Sequence, residues 1–200
     1  YPYFIRIVGF LLFIPTLSFT AAQTSASSAV THGVWNNFDF SKSAQDWADA
    51  SHNYEKKNQG LVDIVVAQAN KEGLVTVPFP FQDTEYGLIS YTETDLLEPY
   101  LITFDSENIN VILSIQPQNV DVSRIIDILL RQYGHHTCIV GINIDLEWKT
   151  SGRVNHVSND ERDRWLNEMA SKDSNLKLFL TYFKNYSYFP DDNTNMVVLF

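Results

Sequence analysis

The chain has 200 residues, of which 14 are basic and 24 are acidic, so its formal net charge is −10 at pH 7. This excess of negative charge disfavours binding to nucleic acids or anionic membrane surfaces, which require clustered Lys and Arg. The 44% hydrophobic and 14% aromatic content is sufficient for an apolar core and excludes a disordered polyelectrolyte. The single cysteine, Cys138, excludes an intrachain disulfide and a zinc site built on several thiolates.

The N-terminal segment has the pattern of an export signal. Arg6 precedes an apolar run over residues 7–19, which Pro15 interrupts and which small residues follow. This pattern predicts a signal peptide over residues 1–22 and an exposed linker over residues 23–32. The run is shorter than the about 20 residues of a membrane-spanning helix. We therefore expect a secreted protein with no membrane attachment after cleavage; the alternatives are a buried N-terminal helix or a membrane anchor.

Three further polar or reactive positions follow from local patterns. Asn185 begins an Asn-Tyr-Ser triplet, the acceptor pattern for N-glycosylation, which agrees with export. Cys138 lies within an apolar run and is expected to be a buried small hydrophobic residue. His135 and His136 follow a helix stop, and no third ligand lies at a useful spacing from them along the chain. We therefore expect these histidines to be loop residues, and we expect no metal and no cofactor.

Strand-like and helix-like segments alternate from residue 33 onward. The segments rich in β-branched and aromatic residues predict strands over residues 33–36, 61–67, 110–115, 139–146, 176–183 and 195–200. Amphipathic spacing and capping residues predict helices after Ser43, over residues 92–105 with Pro99 near the start, from Asp121 to Gly134, and after the capping box at residues 158–161. Glycines and prolines over residues 71–91 predict a long loop or a hairpin insertion.

This alternation predicts an α/β fold. Near-continuous apolar strands separated by amphipathic helices indicate a parallel sheet with both faces covered. About six strands and four helices fit either an open doubly wound sheet or a (β/α)8 TIM barrel that lacks its closing quarter. Because such a barrel has about 250 residues and the last predicted strand carries no cap, we expect residues 33–200 to form a partial TIM barrel whose C-terminal part is missing. No glycine-rich phosphate loop follows any strand, which excludes a dinucleotide fingerprint and a P-loop.

The strand over residues 139–146 ends in a distinctive pattern of polar residues. Asn143, Asp145 and Glu147 are spaced two residues apart and would share one face of an extended strand. Two close carboxylates push their proton affinities apart, so the acid at the strand end can retain a proton and cleave a glycosidic bond as a general acid. Trp148 adds a ring face for sugar stacking. The alternative is an edge strand whose polar face meets water.

The same segment resembles a known catalytic strand. Residues 140–147, VGINIDLE, are similar to the DxxDxDxE signature of glycoside hydrolase family 18, the chitinase family. The segment keeps the Gly-Ile pair, the third acid of the signature as Asp145 and its catalytic acid as Glu147. Val140 and Asn143 stand where the family has its first two aspartates.

A second, shorter resemblance lies one strand earlier. The stretch ILSIQP over residues 112–117 is similar to the family's SxGG motif and keeps its serine as Ser114, without the two glycines. The order of the strands also agrees, since we count the strand over residues 110–115 as the third and the acidic strand as the fourth.

The resemblance implies a mechanism and a substrate class. Glu147 would protonate the leaving oxygen, while Asp145 would orient and stabilise the substrate's acetamido group, which attacks the anomeric carbon. We expect the side chains that contact the substrate to be Asn143, Trp148, Gln116, Ser114 and Tyr182. The predicted protein hydrolyses or binds a β-linked N-acetylglucosamine polysaccharide. The alternative is a non-catalytic carbohydrate-binding or cell-surface protein on the same barrel.

Overall fold

The computed structural model describes residues 38–54, 61–70, 72–81, 88–149, 156–181, 190 and 194–199. The predicted signal peptide, the linker and the strand predicted over residues 33–36 lie outside the described residues. Tyr182 and Asn185 lie outside them as well.

Four helices and seven strands occur in these described ranges. The helices are α1 (Ala44–Tyr54), α2 (Glu98–Ser106), α3 (Val122–Tyr133) and α4 (Asn159–Ala170). The strands are β1 (Leu61–Ala69), β2 (Val75–Val77), β3 (Ile89–Tyr91), β4 (Asn110–Ile115), β5 (Ile139–Asp145), β6 (Lys177–Thr181) and β7 (Met196–Leu199). The predicted α/β class is confirmed. No helix of the described ranges is both long enough and apolar enough to cross a membrane.

The strands form one sheet in the order β3-β2-β1-β4-β5-β6-β7. The run β1-β4-β5-β6-β7 is parallel throughout, and each strand pairs with the next one along it. Strands β4 and β5 are the second and third of this run. Their predicted places as third and fourth include the strand over residues 33–36, which lies outside the described residues.

The insertion after β1 contains the predicted hairpin. Strand β2 pairs antiparallel with β1, and β3 then pairs parallel with β2. The side-chain Oδ1 of Asn70 accepts hydrogen bonds from the backbone N–H groups of Glu72 and Leu74 at 3.0 and 2.9 Å, which closes the turn. Gly73 has a φ of +80°, a conformation that glycine adopts without a steric penalty.

Local capping signals set the bounds of the helices. The Asp121 side chain caps α3 by accepting from Ser123 N at 2.9 Å, and the capping box of α4 is formed by Ser158 and Glu161, as predicted. Helix α2 begins at Glu98 and not at residue 92. The physical reason is the side chain of Asp95, whose Oδ1 accepts from the N–H groups of Leu97 and Glu98 at 3.0 Å and starts the helix there.

The described helices pack against one face of the sheet. Their apolar side chains share a single core with alternate residues of the parallel strands. The strand residues of this core include Val62, Ile64, Val111, Leu113, Ile142, Ile144, Leu178 and Leu180. The opposite face carries a small apolar cluster of Leu61, Ile112 and Phe179 that contains no helix residue. The described helices therefore cover one of the two faces of the sheet. Successive crossovers of the same hand place their helices on the same side.

We call the side that the described helices leave uncovered the open face. Gly141 lies on it, at a close approach between β5 and β6. A Cβ atom at Gly141 would lie 2.2 Å from the Lys177 carbonyl oxygen and 2.6 Å from the Phe179 ring. The ring of Phe179 therefore packs over Gly141 only because this position has no side chain.

We predict that Gly141→Ala lowers the free energy of unfolding by about 1–3 kcal/mol, because an added methyl group overpacks this contact. Urea unfolding measures the change. The matched control is Gly73→Asn, where no atom lies within 4 Å of an added Cβ and asparagine tolerates the positive φ. Equal stability of Gly141→Ala and the parent would contradict the packing described here.

Candidate functional site

Four polar side chains on adjacent strands form a hydrogen-bonded row across the open face. Thr181 Oγ1 donates to Asn143 Oδ1 at 2.9 Å, and Asn143 Nδ2 donates to Ser114 Oγ at 2.9 Å. Ser114 Oγ in turn donates to a carboxylate oxygen of Asp63. We call Asp63, Ser114, Asn143 and Thr181 the polar row. The row joins β1, β4, β5 and β6 by side-chain bonds in addition to their backbone pairing.

The polar row is buried. The relative exposure of Ser114, Asn143 and Thr181 is 3%, 3% and 4%. A buried polar group is stable only when it is hydrogen-bonded, and each of these three side chains has a partner on a neighbouring strand. The three bonds run in one direction, so Asp63 is the final acceptor of the row.

Burial shifts the proton affinity of Asp63. Loss of solvent raises the pKa of its carboxyl group to about 6, although the hydrogen bond from Ser114 acts in the opposite direction. The negative charge of Asp145 adds to the rise. Asp63 therefore gains a proton on the acidic side of neutral pH.

Asp145 lies at the carboxyl end of β5 and is shifted in the same way. Burial raises its pKa to about 6, the N–H of Glu147 lowers it by donating to the carboxylate, and the negative charge of Glu147 raises it. Asp145 thus interacts electrostatically with Asp63 on one side and with Glu147 on the other. The predicted proton-retaining acid was Glu147, whereas the raised pKa in the structure belongs to Asp145.

The strand ends at Asp145, one residue earlier than predicted. Residues Leu146–Trp148 form a 3₁₀ turn, which the Asp145 side chain caps by accepting from Glu147 N at 3.1 Å. Asn143 and Asp145 therefore share a strand face, but Glu147 lies outside the two-residue alternation, so the prediction of one common face is wrong for Glu147. Its side chain is exposed just beyond the carboxyl end of β5.

A groove lies beside this turn. It has a volume of about 650 Å³ and is lined by Trp148, Gln116 and residues of the β1–β2 hairpin, namely Gln68, Ala69, Asn70, Glu72 and Thr76. The Trp148 side chain is partly exposed, at 40% for the residue. Gln116 is held in place because its Oε1 accepts from Ala69 N at 3.2 Å. The groove therefore combines an aromatic ring with amide, hydroxyl and carboxylate groups.

Lys149 anchors the segment that carries Glu147 and Trp148. The side chain of Lys149 is 2% exposed, and its Nζ lies 3.0 Å from a carboxylate oxygen of Glu161 and donates to the carbonyl of His156 at 3.1 Å. These contacts join the turn after β5 to the start of α4. The acidic turn is thus fixed at both of its ends.

The structure brings together most of the predicted site residues but in two groups. Trp148 and Gln116 line the groove. Ser114 and Asn143, which were predicted to contact substrate, are buried in the polar row, where Ser114 donates to Asp63. Tyr182 lies outside the described residues.

Two members of the polar row were not predicted. Asp63 and Thr181 lie within the strands predicted over residues 61–67 and 176–183, and the sequence pattern assigns them no role. The available signal was a single acid inside the otherwise apolar segment LVDIVVA. A charged residue in the middle of a buried strand is costly unless a partner or a site uses it.

Comparison with protein-family models, with curated proteins and with solved structures found no match to this chain.

The polar row predicts a particular dependence of stability on pH. The pKa of Asp63 is raised from 3.8 to about 6 in the folded chain, so the folded state favours the protonated carboxyl. Its stabilising contribution is complete below pH 3.8 and is lost as the pH rises through about 6. Asp63→Asn stays neutral and can still accept from Ser114. We predict that this variant reduces the fall in the free energy of unfolding between acidic and neutral pH by up to about 3 kcal/mol.

Urea unfolding at pH 4.5 and at pH 7.5 measures the difference. Asp49→Asn, an exposed acid on α1, is the matched control and should leave the pH dependence of the parent unchanged. If Asp63→Asn retained the full pH dependence of the parent, the assignment of that dependence to Asp63 would be wrong.

Proposed function

We propose that this chain carries the acid-bearing part of a secreted glycoside hydrolase of the family 18 type, acting on a β-linked N-acetylglucosamine polymer. The observation that supports this most directly is the position of Asp145 and Glu147 at the carboxyl end of a central parallel strand, where the Asp145 carboxylate accepts from Glu147 N at 3.1 Å. Ligands of parallel α/β folds bind at that edge. Burial raises the pKa of Asp145 to about 6, and a neighbouring pair of acids in which one has a raised pKa is suited to acid catalysis.

We also propose that the sheet is part of a (β/α)8 barrel. Two observations support this arrangement over a doubly wound sheet. The parallel strands follow one another in sequential order from β1 to β7, and the described helices pack against one face only. In a barrel the open face becomes the interior, where buried polar side chains line the site.

In the proposed mechanism Glu147 is the general acid. The carbonyl oxygen of the substrate's acetamido group attacks the anomeric carbon, while Glu147 transfers its proton to the leaving oxygen as the glycosidic bond breaks. Glu147, now a carboxylate, then removes a proton from the water that opens the cyclic intermediate. Asp145 orients the acetamido group by bonding to its N–H. The polar row holds Asn143, which lies two residues before Asp145 on the same strand face.

The groove supplies the binding surface in this proposal. The ring of Trp148 stacks against a sugar face, and the amide of Gln116 bonds to a hydroxyl group. A neutral polysaccharide also suits a chain with a net charge of −10, since an anionic polymer would be repelled.

A non-catalytic carbohydrate-binding protein is the second candidate. It is favoured by Val140 and Asn143, which replace two acids of the resembled signature and remove groups that would share charge with Asp145. The groove with Trp148 and Gln116 is independent of these replacements.

Turnover of a chromogenic chitobioside by the full-length protein tests the hydrolase proposal. We predict that Glu147→Gln lowers kcat by about 100-fold or more, because it removes the transferable proton. The control is Glu107→Gln, which follows α2 at the opposite edge of the sheet and should leave kcat unchanged. No turnover by the parent, or equal turnover by Glu147→Gln, would contradict hydrolysis. Fluorescence titration with chito-oligosaccharides would then test binding. A fluorescence change in the parent that is absent in Trp148→Ala would support the carbohydrate-binding protein.

The raised pKa of Asp145 predicts the pH profile of the hydrolase. Burial raises the pKa of Asp145 to about 6, so below about pH 6 this group retains a proton that it loses as the pH rises. We therefore expect kcat/KM to decrease above about pH 6, and Asp145→Asn to displace this alkaline limb as well as lowering the maximum. A limb at the same pH in the variant would show that another group controls it.

A further inference from the structure

A second group of ionisable side chains lies far from the acids. His135 and His136 lie between the end of α3 and the start of β5, at the amino edge of the parallel strands. Glu147 follows the carboxyl end of the same strand. Since β5 has seven residues, the two edges are separated by about 20 Å at the usual rise of a strand.

We propose that Glu98, His135 and His136 bind one zinc ion at this edge. The Oε2 atom of Glu98 lies 3.1 Å from His136 Nε2, and its Oε1 atom lies 3.7 Å from His135 Nε2. One ligand atom from each of the three residues lies within 4.8 Å of the others. Tetrahedral ligands at about 2.0–2.1 Å from zinc are about 3.4 Å apart, so small side-chain adjustments suffice.

The second ring nitrogen of His136 is held in the way that zinc-binding histidines are held. His136 Nδ1 lies 2.6 Å from Asp105 Oδ2, and a carboxylate accepts, so Nδ1 carries the hydrogen. The Nε2 atom of the neutral ring then directs its lone pair at the Glu98 carboxylate, which also has only lone pairs to offer. A cation between these two atoms converts a repulsive contact into two ligand bonds.

Asp105 orients the histidine and is not a ligand itself. Its Oδ1 atom accepts from Thr137 Oγ1 at 3.0 Å and from Cys138 N at 2.7 Å, and its Oδ2 atom faces His136. Asp105, His136 and Cys138 also lie within ligand distance of one another. That alternative set is disfavoured because Asp105 already has three donors, namely Thr137, the backbone N–H of Cys138 and His136.

The site is reachable from solvent and electrostatically suited to a cation. The side chain of His135 is 62% exposed and that of Glu98 is 34% exposed, which leaves a path for the ion and an open position for water. Within the described ranges, the ion-pair partners of Glu98 are these two imidazoles. The sequence predicts no metal because no third ligand lies close to the two histidines along the chain. The fold supplies that ligand from Glu98.

The competing arrangement needs no metal. A protonated His136 would donate from both ring nitrogens, one to Asp105 and one to Glu98, and the contribution of His135 would be limited to a longer ion pair with Glu98 at 3.7 Å. The two arrangements therefore differ in the role of His135 and in the response to zinc.

Calorimetric titration of the EDTA-treated full chain with zinc chloride distinguishes them. We expect one zinc ion per chain, and His135→Ala or Glu98→Gln should weaken its binding by at least about tenfold. His135 is exposed, so its replacement leaves the fold intact, which circular dichroism verifies. The matched control is His52→Ala, an exposed histidine 3.4 Å from the single acid Glu107, which should bind zinc as the parent does. Magnesium chloride should give no comparable heat, because imidazole ligands disfavour it.

Cobalt substitution gives a second readout. The proposed ligands predict visible d–d bands of tetrahedral cobalt without a thiolate charge-transfer band. An absence of zinc binding, or unchanged binding by both His135→Ala and Glu98→Gln, would overturn the proposal in favour of the protonated histidine. A thiolate band would overturn it in favour of the set with Cys138. These readouts involve no sugar substrate, so they are independent of the proposed hydrolase activity.

Discussion

The hydrogen bonds of the polar row are the constraint on which the site depends. They join four neighbouring strands on the face that the described helices leave uncovered, and three of the four side chains are almost fully buried. A shift of one strand by one residue would move its member to the opposite face, into the apolar core, and leave a buried group without a partner. The row thus fixes the register of the strands that carry the acids.

The positions and pKa values of the acids depend on this arrangement. Asp63 ends the row, Asp145 lies one pleat beyond Asn143, and Glu147 follows in the turn that Asp145 caps. Burial raises the pKa of Asp63 and of Asp145, and the negative charge of Asp145 adds to the rise at Asp63, so the protonation of one of these two groups affects the other. Any chemistry at this edge therefore depends on the whole open face.

The two edges of the parallel sheet carry different chemistry. The carboxyl edge combines coupled acids with a groove and a half-exposed aromatic ring, which suits a sugar polymer. The amino edge brings two imidazoles and a carboxylate together between α2 and the end of α3, which suits a borderline metal ion. A zinc ion at that edge would connect α2 to the loop between α3 and β5. It would take no part in the proposed hydrolysis at the opposite edge.

The sequence by itself determined the elements whose signals are local. The caps at Asp121 and at Ser158, the apolar strands and the acidic end of β5 were all readable, because their hydrogen bonds and periodicities span only a few residues. Only the tertiary structure decided which polar residues meet. Ser114 bonds to Asp63 across 51 positions and Thr181 to Asn143 across 38, while Glu98 and His136 are also 38 positions apart. Lateral strand pairing and helix packing create these contacts, and neither produces a periodic pattern in the sequence.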